Sequence, residues 1–481
     1  MQSLRKVKPD CLCGKSNNLN KIRRYNNAME YVTQTAPVDR EEIPMEQSLK
    51  KSPFATYFLI GILAVFAVLS GFNFFFKPFS QYTPFSETVV TDVAQEQYVP
   101  EKIVPISQTE QVDAIVSKLT PDQKIAQLIA LPIETEDFLA SISAQAQARQ
   151  EFESNQDAVS SAYVSFLAGE QLTQDDMEQF VPPTDLFLKE WGFVTLFGAN
   201  ISRTQATQVI SYVDEKLATD TPVWSMVDHE GGTVQRLSGS SFTDLPSWQE
   251  QCDGELTDMF DPWKASAAEL AQVGIDVVLA PVIDIATNHP ILKSRVCSND
   301  PEKVFTFSSA LITTYQEAGI LPVLKHFPGI GRSRKDLHTT FDKVSVDEDS
   351  VKLYKSLLEV YPYSAVMTSH VGVENQDATK PCSLSSDCVG QLSEEFPNVL
   401  LISDALEMKS TGVDDKSVYL EDVALQAANA GNDVLLFGSG VSQSDLKIVH
   451  DRLLREYNSS YEFREIVNAH VRKIIEYKVA K

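Results

Sequence analysis

Leu321-Pro322-Val323-Leu324-Lys325-His326-Phe327-Pro328-Gly329-Ile330-Gly331-Arg332-Ser333-Arg334-Lys335-Asp336-Leu337-His338 runs from an apolar strand into a basic loop. Leu321–Leu324 has the continuous apolar character of a strand covered on both faces. Pro328, Gly329 and Gly331 then break the regular backbone. Lys325 and His326 stand where the strand ends. The loop closes on Asp336 and His338, two residues apart. A carboxylate next to an imidazole raises its basicity and fixes its tautomer, which suits a proton shuttle.

The same rhythm extends to both sides. Apolar runs recur at Phe193–Phe197, Val223–Val227, Val277–Val282, Ala365–Thr368, Val399–Ile402 and Val434–Phe437. Helix-like stretches separate most of them: Thr204–Ala218, Trp263–Val273, Pro301–Ala318, Asp347–Val360 and Ser417–Ala430. The domain opens with a helix over Val112–Ala130, in which Thr120-Pro121-Asp122 marks a fresh start. Buried strands alternating with helices predict an α/β fold with a parallel sheet. Seven or eight units suit a (β/α)8 TIM-type barrel better than an open sheet. No glycine-rich dinucleotide motif follows the first strand. In such a barrel the strand C-termini form the catalytic face. Asp228, Asp284, Lys325 with His326, His370 and Asp404 each sit at such an end.

Charge and hydropathy divide the chain further. The whole carries a net charge of −25, which argues against nucleic acid as a partner. Residues 1–51 hold ten Lys/Arg against six Asp/Glu and read as a disordered cytoplasmic tail. Residues 52–77 contain the uncharged run from Phe54 to Phe76, long enough for one transmembrane helix. Lys50 and Lys51 on its N-terminal side place the tail in the cytoplasm and the remainder outside, at the cell membrane. Residues 78–110 read as a linker, and 111–481 as the barrel domain, with 134–190 an acidic helical insertion. Cys252, Cys297, Cys382 and Cys388 fall in the outer part, where disulfides form. Cys382 with Cys388 is the local pairing, leaving Cys252 with Cys297; free buried thiols are the alternative.

The motifs together resemble glycoside hydrolase family 3, in its single-domain β-N-acetylhexosaminidase branch, over roughly residues 112–475. The Lys325–His338 loop is similar to that family's "KHFPGHGDT" segment, with Ile330 and Arg332 in place of its second His and its Asp. Ser403-Asp404-Ala405-Leu406-Glu407-Met408 is similar to "SDDL-x-M", with Ala405 for the second Asp. Asp228-His229-Glu230-Gly231-Gly232-Thr233-Val234-Gln235-Arg236 is similar to "DQEGGRVQR", and Asn288–Arg295 to "NPVIGxR" with either one residue inserted before the Pro or a shifted register. The resemblance implies that Asp404 is the nucleophile of a retaining mechanism. It implies that His338 with Asp336 is the acid/base, and that Asp228, Arg236, Arg295, Lys325 and His326 bind substrate. That substrate would be a glycan ending in N-acetyl-β-hexosamine, derived from peptidoglycan, with no metal or organic cofactor and a monomeric catalytic domain. Three other readings remain: a phosphorolytic or other β-glycosidase of the same family, because a His acid/base leaves room for an anionic acceptor, with basic Arg332, Arg334 and Lys335 in support; a weakly catalytic glycan sensor; and a metal hydrolase on His326, His338 and His370, which lacks an H-E-x-x-H spacing.

Overall fold

The computed structural model describes residues 106–143, 191–216, 221–374, 376, 378–412 and 418–481. The expected tail (1–51), membrane segment (52–77), most of the linker and residues 144–190 of the insertion lie outside them. Among the described residues no helix is long and apolar enough to cross a membrane.

Eight parallel strands form the centre: β1 (Ile129–Glu134), β2 (Phe193–Phe197), β3 (Trp224–Val227), β4 (Val277–Val278), β5 (Leu321–Phe327), β6 (Ala365–Thr368), β7 (Leu400–Ser403) and β8 (Leu435–Leu436). They pair in chain order, and β8 returns to β1 through Leu435 opposite Ile129. Between β7 and β8 the ring closes through the Ile402–Val434 bridge, where Ser403 N–H donates to Val434 O at 2.9 Å. The result is an α/β barrel of the (β/α)8 type. Strands β3, β6 and β7 are buried along their whole length, as a sheet with covered faces requires.

Local chemistry sets the helix starts. α1 (Ile106–Lys118) and α2 (Pro121–Gln127) are separated at Thr120, whose side chain forms a capping box with Gln123. α3 (Arg203–Lys216) leads to β3. α4 (Trp248–Asp253) begins with a second box, Ser247 with Glu250, and precedes α5 (Leu256–Gln272). Asp300 caps α6 (Pro301–Glu317) and Asp347 caps α7 (Glu348–Val360). α8 (Ser386–Glu395) and α9 (Leu420–Ala430) follow β6 and β7. α10 (Gln443–Ser459) and α11 (Tyr461–Ala480) close the chain.

One expected boundary is corrected. The helix expected over Val112–Ala130 ends at Gln127, and Ile129–Glu134 is the first barrel strand. Its apolar residues continue the spacing of the preceding helix, and Pro132 reads against a central strand. Residues 135–143, expected as the start of the insertion, are helical. Strand β5 also runs to Phe327, so Lys325 and His326 lie inside it. Both expected disulfides are formed, Cys252–Cys297 and Cys382–Cys388.

The foot of the barrel is tied by one ammonium group. Lys478 of α11 donates to Gln127 Oε1 at 2.9 Å, Gly192 O at 2.8 Å and Pro222 O at 2.8 Å. These acceptors precede β1, β2 and β3. Burial draws the Lys478 pKa down to about 7, while three acceptors match the three N–H bonds of the charged form. Lys478→Met takes the ammonium's three hydrogen bonds away together and should lower stability in urea unfolding by about 3 kcal/mol. A loss well below about 1 kcal/mol would show that water replaces the ammonium.

Candidate active site

The polar strand ends converge on the C-terminal face. After β3 the chain makes a tight antiparallel hairpin, His229–Gly231 with Val234–Gln235. Its turn needs glycine: Gly231 has φ +100°, and a Cβ there would lie 2.2 Å from Pro246 O. The hairpin brings Arg236 back beside Asp228, with Nη2 3.6 Å from Oδ2. Arg236 Nε is buried with no hydrogen-bond partner among the described residues, a donor for which a ligand oxygen would serve.

Lys325 joins this hairpin to β5. Its Nζ lies 2.9 Å from Asp228 Oδ1 and 2.6 Å from Glu230 Oε1. Arg295 then clamps Glu230 with both arms, Nε to Oε2 at 2.8 Å and Nη2 to Oε1 at 2.9 Å. Burial pushes the Glu230 carboxyl up, but Lys325 and Arg295 pull it down to about 2. Burial and the neighbouring Glu230 likewise oppose ionisation of Asp228, but Lys325 and Arg236 together outweigh them and hold that carboxyl below its usual value. In return Asp228 and Glu230 raise Lys325 against its own desolvation. The cluster is thus three cations around two carboxylates, all ionised.

His326 turns to a different partner. The pairing register slips between Lys325 and Phe327, so the usual alternation of faces is interrupted. His326 Nδ1 lies 2.7 Å from Asp284 Oδ2, and Asp284 Oδ1 accepts the Ile330 N–H at 2.7 Å. Asp284 therefore orients His326 and holds the start of the loop. His289, which precedes Pro290 in the Asn288–Arg295 segment, accepts the Leu292 N–H at Nδ1 and lies 3.2 Å from Ile330 O through Nε2. It fastens the Arg295 segment to the same loop.

The loop itself is docked. Asp336 Oδ1 accepts the His338 backbone N–H at 3.0 Å and lies 2.8 Å from His338 Nδ1. A proton on Nδ1 leaves Nε2 as the exchanging nitrogen, on a side chain that is 69% exposed. Burial raises the Asp336 pKa, and the bonds from His338 outweigh it. Lys409 N–H donates to His338 O and Ser410 N–H to Leu337 O, both at 3.3 Å. Leu337 also packs with Ile330, Leu292, Val296, Val371 and Met408 in a small apolar cluster separate from the main core. Ile330, a departure from the family loop, is accommodated there. Arg332 and Lys335 are engaged by Asp347 and Asp342, at 2.9 and 3.3 Å.

Asp404 follows β7. Its N–H donates to Thr368 O, and its Oδ1 accepts the Ala405 N–H at 2.8 Å. Burial pushes the carboxyl up; the imidazoles of His370 and His326, the Ala405 amide and His338 outweigh that and hold it below its ordinary value. Glu407, by contrast, is raised by burial and by Asp404, with Oε2 accepting the Gly438 N–H at 3.0 Å.

Sequence reading named Asp228, Lys325, Arg236, Arg295, His326, Asp336, His338 and Asp404. The structure brings the first four into one cluster and sets His326 on Asp284. It also shows partners given no role, Glu230 and Glu407. The signal for Glu230 was available, since two residues past Asp228 in extended backbone returns to the same face. Among the described residues no group of three or more His, Cys, Asp or Glu is arranged to hold a metal.

Glu230 makes a pH signature. Its folded pKa of about 2 lies below the ordinary value of 4.5, so its contribution is present above pH 4.5 and is lost as pH falls toward 2. Glu230→Gln should cost about 3 kcal/mol at neutral pH by leaving Arg295 without its carboxylate and Lys325 with Asp228 alone, and should flatten the acid limb of the stability curve. An unchanged acid limb in urea titrations would contradict this ion cluster.

The sequence profile of the Glycosyl hydrolase family 3 N terminal domain matches residues 168–476, more than half the chain. A beta-hexosaminidase of Photobacterium profundum is 31% identical over 279 residues, 54% of this chain and 80% of that protein. Beta-hexosaminidase LpqI of Mycobacterium tuberculosis is 29% identical over 246 residues, 48% of this chain and 62% of that protein. The crystal structure of a beta-N-acetylhexosaminidase from Beutenbergia cavernae matches with a TM-score of 0.59 at 21% identity, covering 75% of this chain and 99% of that one. The last likeness bears on the fold, and the profile and the Photobacterium relative on descent. The chain belongs to glycosyl hydrolase family 3 and is a glycoside hydrolase.

Proposed function

We propose that this protein is a retaining, exo-acting β-N-acetylhexosaminidase that removes terminal N-acetyl-β-glucosamine, with peptidoglycan-derived glycans as its substrates. The observation that carries the mechanism is the ionised Asp404 carboxylate with the Asp336-oriented imidazole of His338 docked against the segment that follows it. The beta-hexosaminidase names of the relatives support the sugar class.

In this reading an Asp404 oxygen attacks the anomeric carbon while the glycosidic C–O bond breaks. The His338 Nε2 proton passes to the leaving oxygen. Nε2 then takes a proton from water, whose oxygen displaces Asp404 and restores the anomeric configuration. Asp336 keeps the ring oriented throughout. Lys325, Asp228, Arg236, Arg295 and His326 hold the terminal sugar; Arg236 Nε, without a partner among the described residues, is a donor in reserve for it.

We further propose that the catalytic domain lies outside the cytoplasm, held to the membrane by residues 52–77. The two disulfides support this, because such bonds persist in oxidising compartments. Two of the three basic loop residues that favour phosphorolysis, Arg332 and Lys335, are paired with carboxylates, which weakens that secondary support.

Full-length protein should release an aryl aglycone from an N-acetyl-β-glucosaminide with a rate independent of added phosphate. Asp404→Ala should abolish release. His338→Ala should lower it by about 10²–10⁴-fold, least for the most acidic leaving group. Release that needs phosphate would move the assignment to a phosphorylase. Full activity in Asp404→Ala would refute the mechanism.

A further inference from the structure

Asp404 sits in a ring of hydrogen bonds that runs through four fully buried side chains. Its backbone N–H donates to Thr368 O at 2.9 Å. The Thr368 hydroxyl donates to Asn432 Oδ1 at 2.6 Å. Asn432 Nδ2 donates to Ser383 O at 2.8 Å. Ser383 Oγ lies 2.6 Å from His370 Nδ1, and His370 Nε2 lies 2.8 Å from Ala405 O. The Ala405 N–H then returns to Asp404 Oδ1 at 2.8 Å. Thr368, His370, Ser383 and Asn432 are all 0% exposed.

A carbonyl only accepts, so His370 Nε2 carries the hydrogen toward Ala405 O. At Nδ1 the bond with Ser383 runs from the hydroxyl to a neutral imidazole or from an imidazolium to the hydroxyl oxygen, and either way it ties the two side chains together. Three outside features fix the ring. Ser383 adjoins Cys382, bonded to Cys388. Gly431 ends α9 at φ +111°, and Asn432 follows directly. Asn432 Nδ2 also donates to Ala427 O at 2.7 Å.

We infer that His370 and Ser383 are positioning residues for the nucleophile, holding the Ala405 backbone so that its N–H occupies Asp404 Oδ1 and leaves Oδ2 for the sugar. Neither residue need touch substrate. The inference rests on the proposed role of Asp404. The Ala405 carbonyl lies in the peptide plane after the one that carries the Ala405 N–H; with that plane held by His370 and the plane before by the Asp404 N–H on Thr368 O, the Asp404–Ala405 peptide between them is restrained with its N–H on the carboxylate. That amide bond favours the ionised form, and it forbids one of two competing carboxylate orientations.

The experiment compares Ser383→Ala, His370→Gln and His370→Leu with wild type and Asp404→Ala, reading kcat, KM, the pH profile and the melting temperature. Loosening the Ala405 amide should lower kcat by about tenfold to a hundredfold in Ser383→Ala, with KM nearly unchanged. It should also move the acid limb of kcat/KM upward, because the carboxylate loses a donor. The other groups facing Asp404 are His370, His326, His338 and Glu407; all four are retained in Ser383→Ala, so the shift in that variant reports the ring. His370→Gln, which can still donate to Ala405 O, should keep more activity than His370→Leu at equal melting temperature. Normal kcat and an unmoved acid limb in Ser383→Ala and His370→Leu, with Asp404→Ala inactive, would overturn the positioning role alone. Lower melting temperature with wild-type kcat and acid limb would overturn it as well. An active Asp404→Ala would instead remove the nucleophile assignment on which it stands.

Discussion

Closure of the parallel sheet is the constraint from which the rest follows. An open sheet would leave β7 and β8 as edges with unpaired backbone groups. Joining them through Ile402 and Val434 removes those edges. It also fixes Asp404, at the end of β7, relative to β3, β5 and β6. The chemistry then needs no long loop to cross the domain. Every acid, base and cation of the site comes from a strand end or from a loop pinned to one. The Lys325 ammonium completes this arrangement by binding Asp228 and Glu230 across the barrel mouth.

The site separates two tasks by environment. The Lys325 cluster is buried, fully ionised and internally paired, so each charge depends on its neighbours remaining in place. It is suited to holding a sugar of fixed shape. His338 is exposed, and Asp336 bonds its Nδ1, which leaves Nε2 open to exchange protons. Asp404 lies between these extremes. It is a carboxylate kept ionised by neighbouring donors, with the Ala405 amide on its Oδ1. The docking of Leu337 and His338 on residues 409 and 410 links the loop proposed to transfer protons to the segment after β7 that carries the proposed nucleophile, through backbone bonds that side-chain substitution does not remove.

Much of this was legible in the sequence, for physical reasons that differ by element. Seven barrel strands showed as apolar runs because parallel strands are covered on both faces. β1 did not, since its apolar residues continue the spacing of α2 and Pro132 argues against a central strand. Asp404, Asp336 and His338 stood out through their resemblance to family motifs, and the roles given to them belong to the proposed function. Ser383 and Asn432 carried no such mark. Serine beside a cysteine and asparagine after a helix-ending glycine are ordinary loop residues, and only folding brings them together around His370. The two disulfides were readable as pairings, though not their positions beside the Arg295 segment and Ser383.

The most direct measurement is intact-mass and peptide analysis after incubation with a slowly turned-over fluorinated N-acetylglucosaminyl donor. A stoichiometric glycosyl adduct on the peptide containing Asp404, absent in Asp404→Ala, is the result expected of a covalent retaining mechanism. Turnover of the donor without any adduct, or an adduct on another carboxylate, would contradict the assignment of Asp404 and with it the purpose assigned to the surrounding hydrogen-bond ring.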